Sequence, residues 1–80
     1  MSLKMLIVDD ERCVLEITKY LFKTKKYNVI TAMDGDEALE AVRRKNFDIV
    51  LLDIKMPGMN GIEVLRRMKE MRPHMPVVII

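Results

Sequence analysis

Four short apolar runs, separated by segments with helical periodicity, constrain the fold of this chain more than any other feature. The runs lie at residues 4–8, 27–32, 47–52 and 77–80. Short runs rich in β-branched residues are typical of buried strands in a parallel sheet. Because strands that alternate with helices indicate βα units, the predicted order is βαβαβαβ, an α/β fold with a doubly wound parallel sheet.

The three connecting segments have the features of helices. Apolar residues recur at helical spacing within residues 11–25, and the periodic set is Val14, Leu15, Ile17, Leu21 and Phe22. Asp34 followed by Glu37 resembles a capping box at the start of the second helix. The third helix is expected over residues 62–71, with Leu65 and Met68 facing the sheet.

Few sheet topologies are compatible with this order. Crossovers between parallel strands are right-handed, and helices cover both faces of a parallel sheet. We expect the flavodoxin-like strand order 2-1-3-4, which places the first and third strands side by side where the strand order reverses. Ligands of such folds bind at that point, outside the carboxyl ends of the strands.

Three aspartates come directly after two of the predicted strands. Asp9 and Asp10 follow the first strand, and Asp53 follows the third. If these strands are neighbours, the three carboxylates meet, and like charges raise one another's pKa unless a cation lies among them. Oxygen ligands in an incomplete cage suit Mg²⁺. Asp53 stands alone before a glycine-containing loop, which suggests a nucleophile facing a metal-binding pair.

Composition limits the remaining possibilities. Eighty residues form one domain at most, and we assign residues 1–80 to one domain. The net charge of +2 is too small to indicate nucleic acid as a partner. No apolar stretch reaches the ~18 residues needed to span a bilayer, so no membrane association is expected. The single cysteine excludes an internal disulfide and favours a reducing, cytoplasmic location.

Several side chains have an ordinary structural interpretation. Cys13 is expected in core packing or as a half-buried thiol. Met68 and Met71 are expected in the core, whereas the loop methionines Met56 and Met59 are candidates for partner contacts.

Four stretches of the sequence resemble the receiver domain of bacterial two-component response regulators, the CheY-like domains. They are KMLIVDDE at residues 4–11, DGDEAL at 34–39, FDIVLLD at 47–53 and KMPGMNG at 55–61. The resemblance implies that Asp53 accepts a phosphoryl group from a phosphohistidine of a sensor histidine kinase or phosphotransfer protein. It also implies that Asp10, Asp53 and the backbone carbonyl of Lys55 hold Mg²⁺, with Asp9 acting through a bound water.

The resemblance sets further expectations. Pro57 and Gly58 would shape the loop beside Asp53. Receiver domains usually contain a fifth βα unit, with a Ser or Thr after the fourth strand and a Lys after the fifth that respond to the phosphoryl group, and these lie outside residues 1–80. We therefore expect an incomplete, N-terminal portion of a receiver domain. Its fourth strand and first helix would expose apolar surface, with self-association as one consequence.

More than one class of function stays open. The first is a phosphoacceptor signalling module, which is not an enzyme beyond promoting its own phosphorylation and dephosphorylation. The second is a Mg²⁺-dependent α/β phosphotransferase or phosphohydrolase with an aspartyl nucleophile. The sequence lacks a P-loop and a Gly-x-Gly-x-x-Gly motif, and a short chain has little room for a substrate pocket, which favours the first class. The plainest structural alternative is that Asp9 and Asp10 only cap the first helix.

Overall fold

The computed structural model describes residues 3–23, 25–56, 58 and 60–80, and within them the elements follow the predicted order. The strands are β1 (Lys4–Val8), β2 (Asn28–Ala32), β3 (Ile49–Leu52) and β4 (Val77–Ile79). The helices are α1 (Arg12–Lys23), α2 (Gly35–Arg44) and α3 (Gly61–Met71). The three strand pairs are parallel, and the sheet order β2-β1-β3-β4 confirms the predicted flavodoxin-like topology.

The inner strand β1 is buried on both faces. Its residues from Met5 to Val8 are at most 3% exposed. Leu6 pairs with Ile30 of β2 on one side and with Val50 of β3 on the other. Because helices cover both faces of a parallel sheet, such a strand is apolar throughout and does not alternate with polar residues.

Two apolar layers lie on opposite faces of the sheet. The layer beneath α2 and α3 is the larger one, and its buried members include Leu6, Val8, Val50, Leu52, Ala38, Val42, Val64 and Met68. The layer beneath α1 is smaller, and its buried members are Met5, Ile7 and Leu15. Successive β1 residues enter opposite layers, as the two-residue period of a strand requires.

Side-chain caps define the starts of two helices. Asp34 Oδ1 accepts a hydrogen bond of 2.8 Å from the N–H of Glu37, which confirms the Asp34 half of the predicted capping box, while the return bond from Glu37 stays a prediction. Asn60 Oδ1 caps α3 in the same way, by accepting from the N–H of Glu63 at 3.1 Å. Among the described residues, no helix is long and apolar enough to cross a bilayer.

Helix α1 and strand β3 are each shorter than predicted by at least two residues. Helix α1 ends at Lys23 because the chain turns sharply there: the N–H of Tyr27 donates to Phe22 O at 3.1 Å, and Lys26 has a φ of 65°. Strand β3 begins at Ile49, although Phe47 is buried, because Asp48 bonds to Lys4 through both its N–H and its carboxylate before the ladder starts.

Three side-chain predictions are wrong or incomplete. Cys13 is exposed because α1 turns mainly Leu15 toward the sheet, and residues two apart on a helix do not share a face. Met56 is 4% exposed and belongs to the core, so it is not available as a partner contact. Met68 is fully buried as predicted, whereas Met71, at the last residue of α3, is 36% exposed beside an open surface hollow. Met59 lies outside the described residues.

Arg72 joins the ends of α2 and α3. Its Nε donates to Val42 O at 3.2 Å, and one terminal guanidinium nitrogen donates to Arg43 O at 3.3 Å. Carbonyls in the last turn of a helix have no partner within the helix, and a cation there also interacts favourably with the helix dipole. Arg72 therefore stabilises the C-terminal end of α2 from outside that helix.

Replacement of Arg72 by Met should lower the free energy of unfolding by about 1–2 kcal/mol, because two carbonyls lose a charged donor while the apolar stem is kept. Urea denaturation followed by circular dichroism measures this change. Arg67→Met is the control, since the solvent-exposed Arg67–Glu63 ion pair is screened and should contribute little to stability. Equal losses in the two variants would contradict the assignment.

Candidate functional site

The strand order places the carboxyl ends of β1 and β3 next to each other. Val8, the last residue of β1, pairs with Ala32 on one side and with Leu52 on the other. Asp9 follows β1 directly, and Asp53 follows β3 directly. Because the carboxyl ends of parallel strands lie on the same side of a sheet, both aspartates lie where folds of this kind bind ligands.

Backbone hydrogen bonds hold both aspartates against a neighbouring strand. The N–H of Asp9 donates to Ala32 O at 3.1 Å, and the N–H of Asp53 donates to Val8 O at 3.0 Å. Each bond extends the ladder by one residue beyond the strand. The backbone of Asp53 is therefore anchored at the end of β1, directly beside Asp9.

Each carboxylate also bonds to the chain that follows it. Asp9 Oδ1 accepts from the N–H of Glu11 at 3.0 Å, and Asp53 Oδ1 accepts from the N–H of Lys55 at 2.9 Å. Both contacts are Asx turns, in which an aspartate bonds to the backbone two residues further on. A carboxylate can accept about four hydrogen bonds, so both groups keep acceptor capacity for a ligand. The Asp9 bond is to Glu11, which precedes α1, so it does not show the helix-cap role considered for this residue.

The three predicted aspartates form one cluster. Asp9, Asp10 and Asp53 each offer a carboxylate oxygen, and these oxygens lie within 4.8 Å of one another. Asp9 is buried, Asp53 is half-buried and Asp10 is exposed, so the cluster is closed on the protein side and open to solvent on the other. A set of oxygen ligands with room for water is the coordination that Mg²⁺ takes in proteins. The residues present therefore fit this ion.

The salt bridges of the described residues lie on α2 and α3, away from the aspartate cluster. Within the described part of the chain, no salt bridge joins a basic side chain to the three clustered aspartates. Glu63, in the first turn of α3, is by contrast bound by Arg66 and Arg67, and the Arg66 guanidinium is the main cause that lowers the pKa of Glu63 to about 2. Glu63 is therefore engaged elsewhere and is a poor candidate for a further acidic ligand.

The remaining residues implied by the resemblance lie in the loop after β3. Lys55 is exposed, and its N–H holds Asp53, while the ligand role of its carbonyl stays a prediction. Gly58 is exposed with a φ of 72°, a conformation that favours glycine. Pro57 lies outside the described residues.

Known proteins share this fold and sequence pattern. The chain is 40% identical over 80 residues to sporulation initiation phosphotransferase F of Bacillus subtilis, covering 100% of this chain and 64% of that protein. It is 34% identical over 80 residues to the B. subtilis alkaline phosphatase synthesis transcriptional regulatory protein PhoP, covering 100% of this chain and 33% of that protein. The chain thus spans between about a third and two thirds of the length of these curated relatives.

Solved structures of receiver domain proteins share the fold of this chain. A CheY-like response regulator receiver domain protein from Methanospirillum hungatei superposes with a TM-score of 0.94 at 33% identity, over 99% of this chain and 63% of that one. The response regulator TrrA from Thermotoga maritima, solved in complex with Mg²⁺ and BeF, gives a TM-score of 0.84 at 35% identity, over 99% of this chain and 66% of that one.

A family model settles the classification. The model for the response regulator receiver domain matches residues 5–80, which is nearly the whole chain. This match includes the sheet, the helices and the three clustered aspartates. The chain belongs to the response regulator receiver domain family, the phosphoacceptor modules of two-component signal transduction.

Proposed function

We propose that Asp53 is the phosphoacceptor of this receiver domain, and that Asp9, Asp10, Asp53 and the backbone carbonyl of Lys55 hold the Mg²⁺ ion on which the transfer depends. The observation that carries the proposal is the convergence of three carboxylates within 4.8 Å at the end of the central strands. The Mg²⁺-BeF complex of the TrrA relative is consistent with it.

The environment of Asp53 suits a nucleophile. Its backbone is anchored to Val8, and one carboxylate oxygen is held by the N–H of Lys55, so the other oxygen is presented in a constant direction. In the proposed step this oxygen attacks the phosphorus of a phosphohistidine. The new O–P bond forms as the P–N bond breaks, and the electron pair of the broken bond passes to the imidazole of the donor. Bound Mg²⁺ supplies charge neutralisation at the phosphoryl oxygens.

The donor in this proposal is a sensor histidine kinase or a phosphotransfer protein, since receiver domains interact with proteins of these classes. The chain itself would act as a stoichiometric acceptor and not as an enzyme, apart from promoting its own phosphorylation and dephosphorylation. We do not expect these 80 residues to bind nucleic acid directly, because their net charge is only +2.

Removal of one charge from the cluster should weaken metal binding. We expect Asp10→Asn to reduce Mg²⁺ affinity at least about tenfold, since one carboxylate ligand becomes a neutral amide, and Asp9→Asn to have a smaller effect. Isothermal titration calorimetry measures both. Asp48→Asn is the control, because Asp48 lies at the amino ends of the strands, away from the cluster, where its Oδ2 accepts from the Lys4 N–H. An Asp10→Asn protein with wild-type affinity would overturn the ligand assignment.

Phosphorylation should be confined to Asp53. After incubation with a small-molecule phosphodonor and Mg²⁺, intact mass spectrometry should show one acid- and base-labile phosphoryl adduct, absent from Asp53→Asn and strongly reduced without Mg²⁺. Multiple turnover on a phosphoester substrate would instead favour the phosphotransferase or phosphohydrolase alternative. An adduct that persists in Asp53→Asn would refute the assignment of this residue.

Self-association is a second expected property. The edge strand β4 and the residue after it expose Val78, Ile79 and Ile80 by 42–54%, and Ile17 of α1 is 62% exposed. Charge-free edge strands pair readily with other chains. Light scattering at micromolar concentration should give a mass above that of the monomer, and Val78→Lys should lower it. A monomer mass with cooperative unfolding would contradict this expectation.

A further inference from the structure

Gly61, the first residue of α3, lies against Ile54. A Cβ atom on Gly61 would be 2.5 Å from Ile54 Cβ and 2.6 Å from Ile54 Cα. Carbon atoms do not approach this closely, and both positions are determined by the backbone of Ile54. No side-chain rotation can relieve the contact, so any other residue here must displace either Ile54 or the start of α3.

Residue 61 requires glycine because there is no room for a side chain, and not because of its backbone conformation. Gly58, in the same loop, has a φ of 72°, and a Cβ there would meet nothing within 4 Å. Gly61 shows the opposite combination, since it lies in a helix, where glycine is less favourable than alanine, and has no positive φ. The two glycines thus meet different needs, conformation at residue 58 and close approach at residue 61.

The displaced residue would be the one that joins two proposed metal ligands. Ile54 stands between Asp53 and Lys55, and the N–H of Lys55 donates to Asp53 Oδ1 at 2.9 Å. Ile54 is half-buried and packs against the core layer beneath α2 and α3, so it cannot move outward without losing that packing. A shift at Ile54 therefore changes the Asx turn that orients the Asp53 carboxylate.

We propose that Gly61 is a positioning residue of the acidic cluster: its missing Cβ lets α3 start against Ile54, and this contact fixes the Asp53 carboxylate relative to the Lys55 carbonyl. The inference rests on the proposed function, because it takes these two groups as ligands of one cation. Gly61 touches neither the cation nor the phosphoryl group. It acts through Ile54.

The test compares Gly61→Ala with the wild-type chain, using Mn²⁺ as a paramagnetic probe of the Mg²⁺ site. We expect Mn²⁺ affinity, measured by electron paramagnetic resonance, to fall at least tenfold. In the metal-free protein, we expect the Lys55 amide to exchange with solvent at least fivefold faster, measured by nuclear magnetic resonance, because its bond to Asp53 is strained. Arg72→Met is the control, since it should destabilise the fold from the far end of α2 with both readouts unchanged.

The outcomes separate this inference from the proposed function. Wild-type protein that does not bind Mn²⁺ would refute the proposed metal site itself. Wild-type binding together with a folded Gly61→Ala protein of equal affinity and equal Lys55 exchange would refute the role of Gly61 alone. If Gly61→Ala does not fold, Ile54→Gly takes its place, because it keeps Gly61 and removes the Ile54 Cβ against which Gly61 packs. Reduced Mn²⁺ affinity and faster Lys55 exchange in this variant would support the role of the contact, and unchanged values of both would refute it.

Discussion

The in-register pairing of β1 with both β2 and β3 is the constraint on which the rest of the structure depends. Burial on both faces requires β1 to be apolar throughout, and its four inner residues are at most 3% exposed. The same pairing continues for one residue beyond the strands, where Asp9 bonds to Ala32 and Asp53 bonds to Val8. The backbones of Asp9 and Asp53 thus extend the hydrogen-bond ladder of the core, and the sheet determines where both residues lie.

Acidic residues of the chain occur in two different environments. On the exposed faces of α2 and α3, Glu40 and Glu63 are bound by arginines three and four residues away, and the pKa of each is lowered by these partners. Such surface pairs contribute little to stability because water and salt screen them. At the carboxyl ends of β1 and β3 three carboxylates converge, and no salt bridge in the described part of the chain neutralises them. The proposed Mg²⁺ would supply the positive charge that this cluster lacks.

Much of the fold followed from local patterns in the sequence. The bounds of β1 were predicted correctly, as were the Asp34 cap and the burial of Met68. Element ends were less predictable, because they depend on single backbone contacts: α1 ends at Lys23, two residues earlier than predicted, where Tyr27 bonds back to Phe22. Met56 was wrongly assigned because it lies in a loop whose path brings it into the core, and no periodic pattern indicates that path.

The sequence by itself determined the alternation of strands and helices and the position of each aspartate at the end of a strand, because both depend on residue order and side-chain polarity. Only the tertiary structure decided that the carboxylate oxygens of Asp9, Asp10 and Asp53 come within 4.8 Å of one another, since that depends on which strands are neighbours. It also decided that Gly61 must lack a side chain. The close contact between Gly61 of α3 and Ile54 arises from how the helix packs on the sheet, so it cannot be predicted from the residues next to either position.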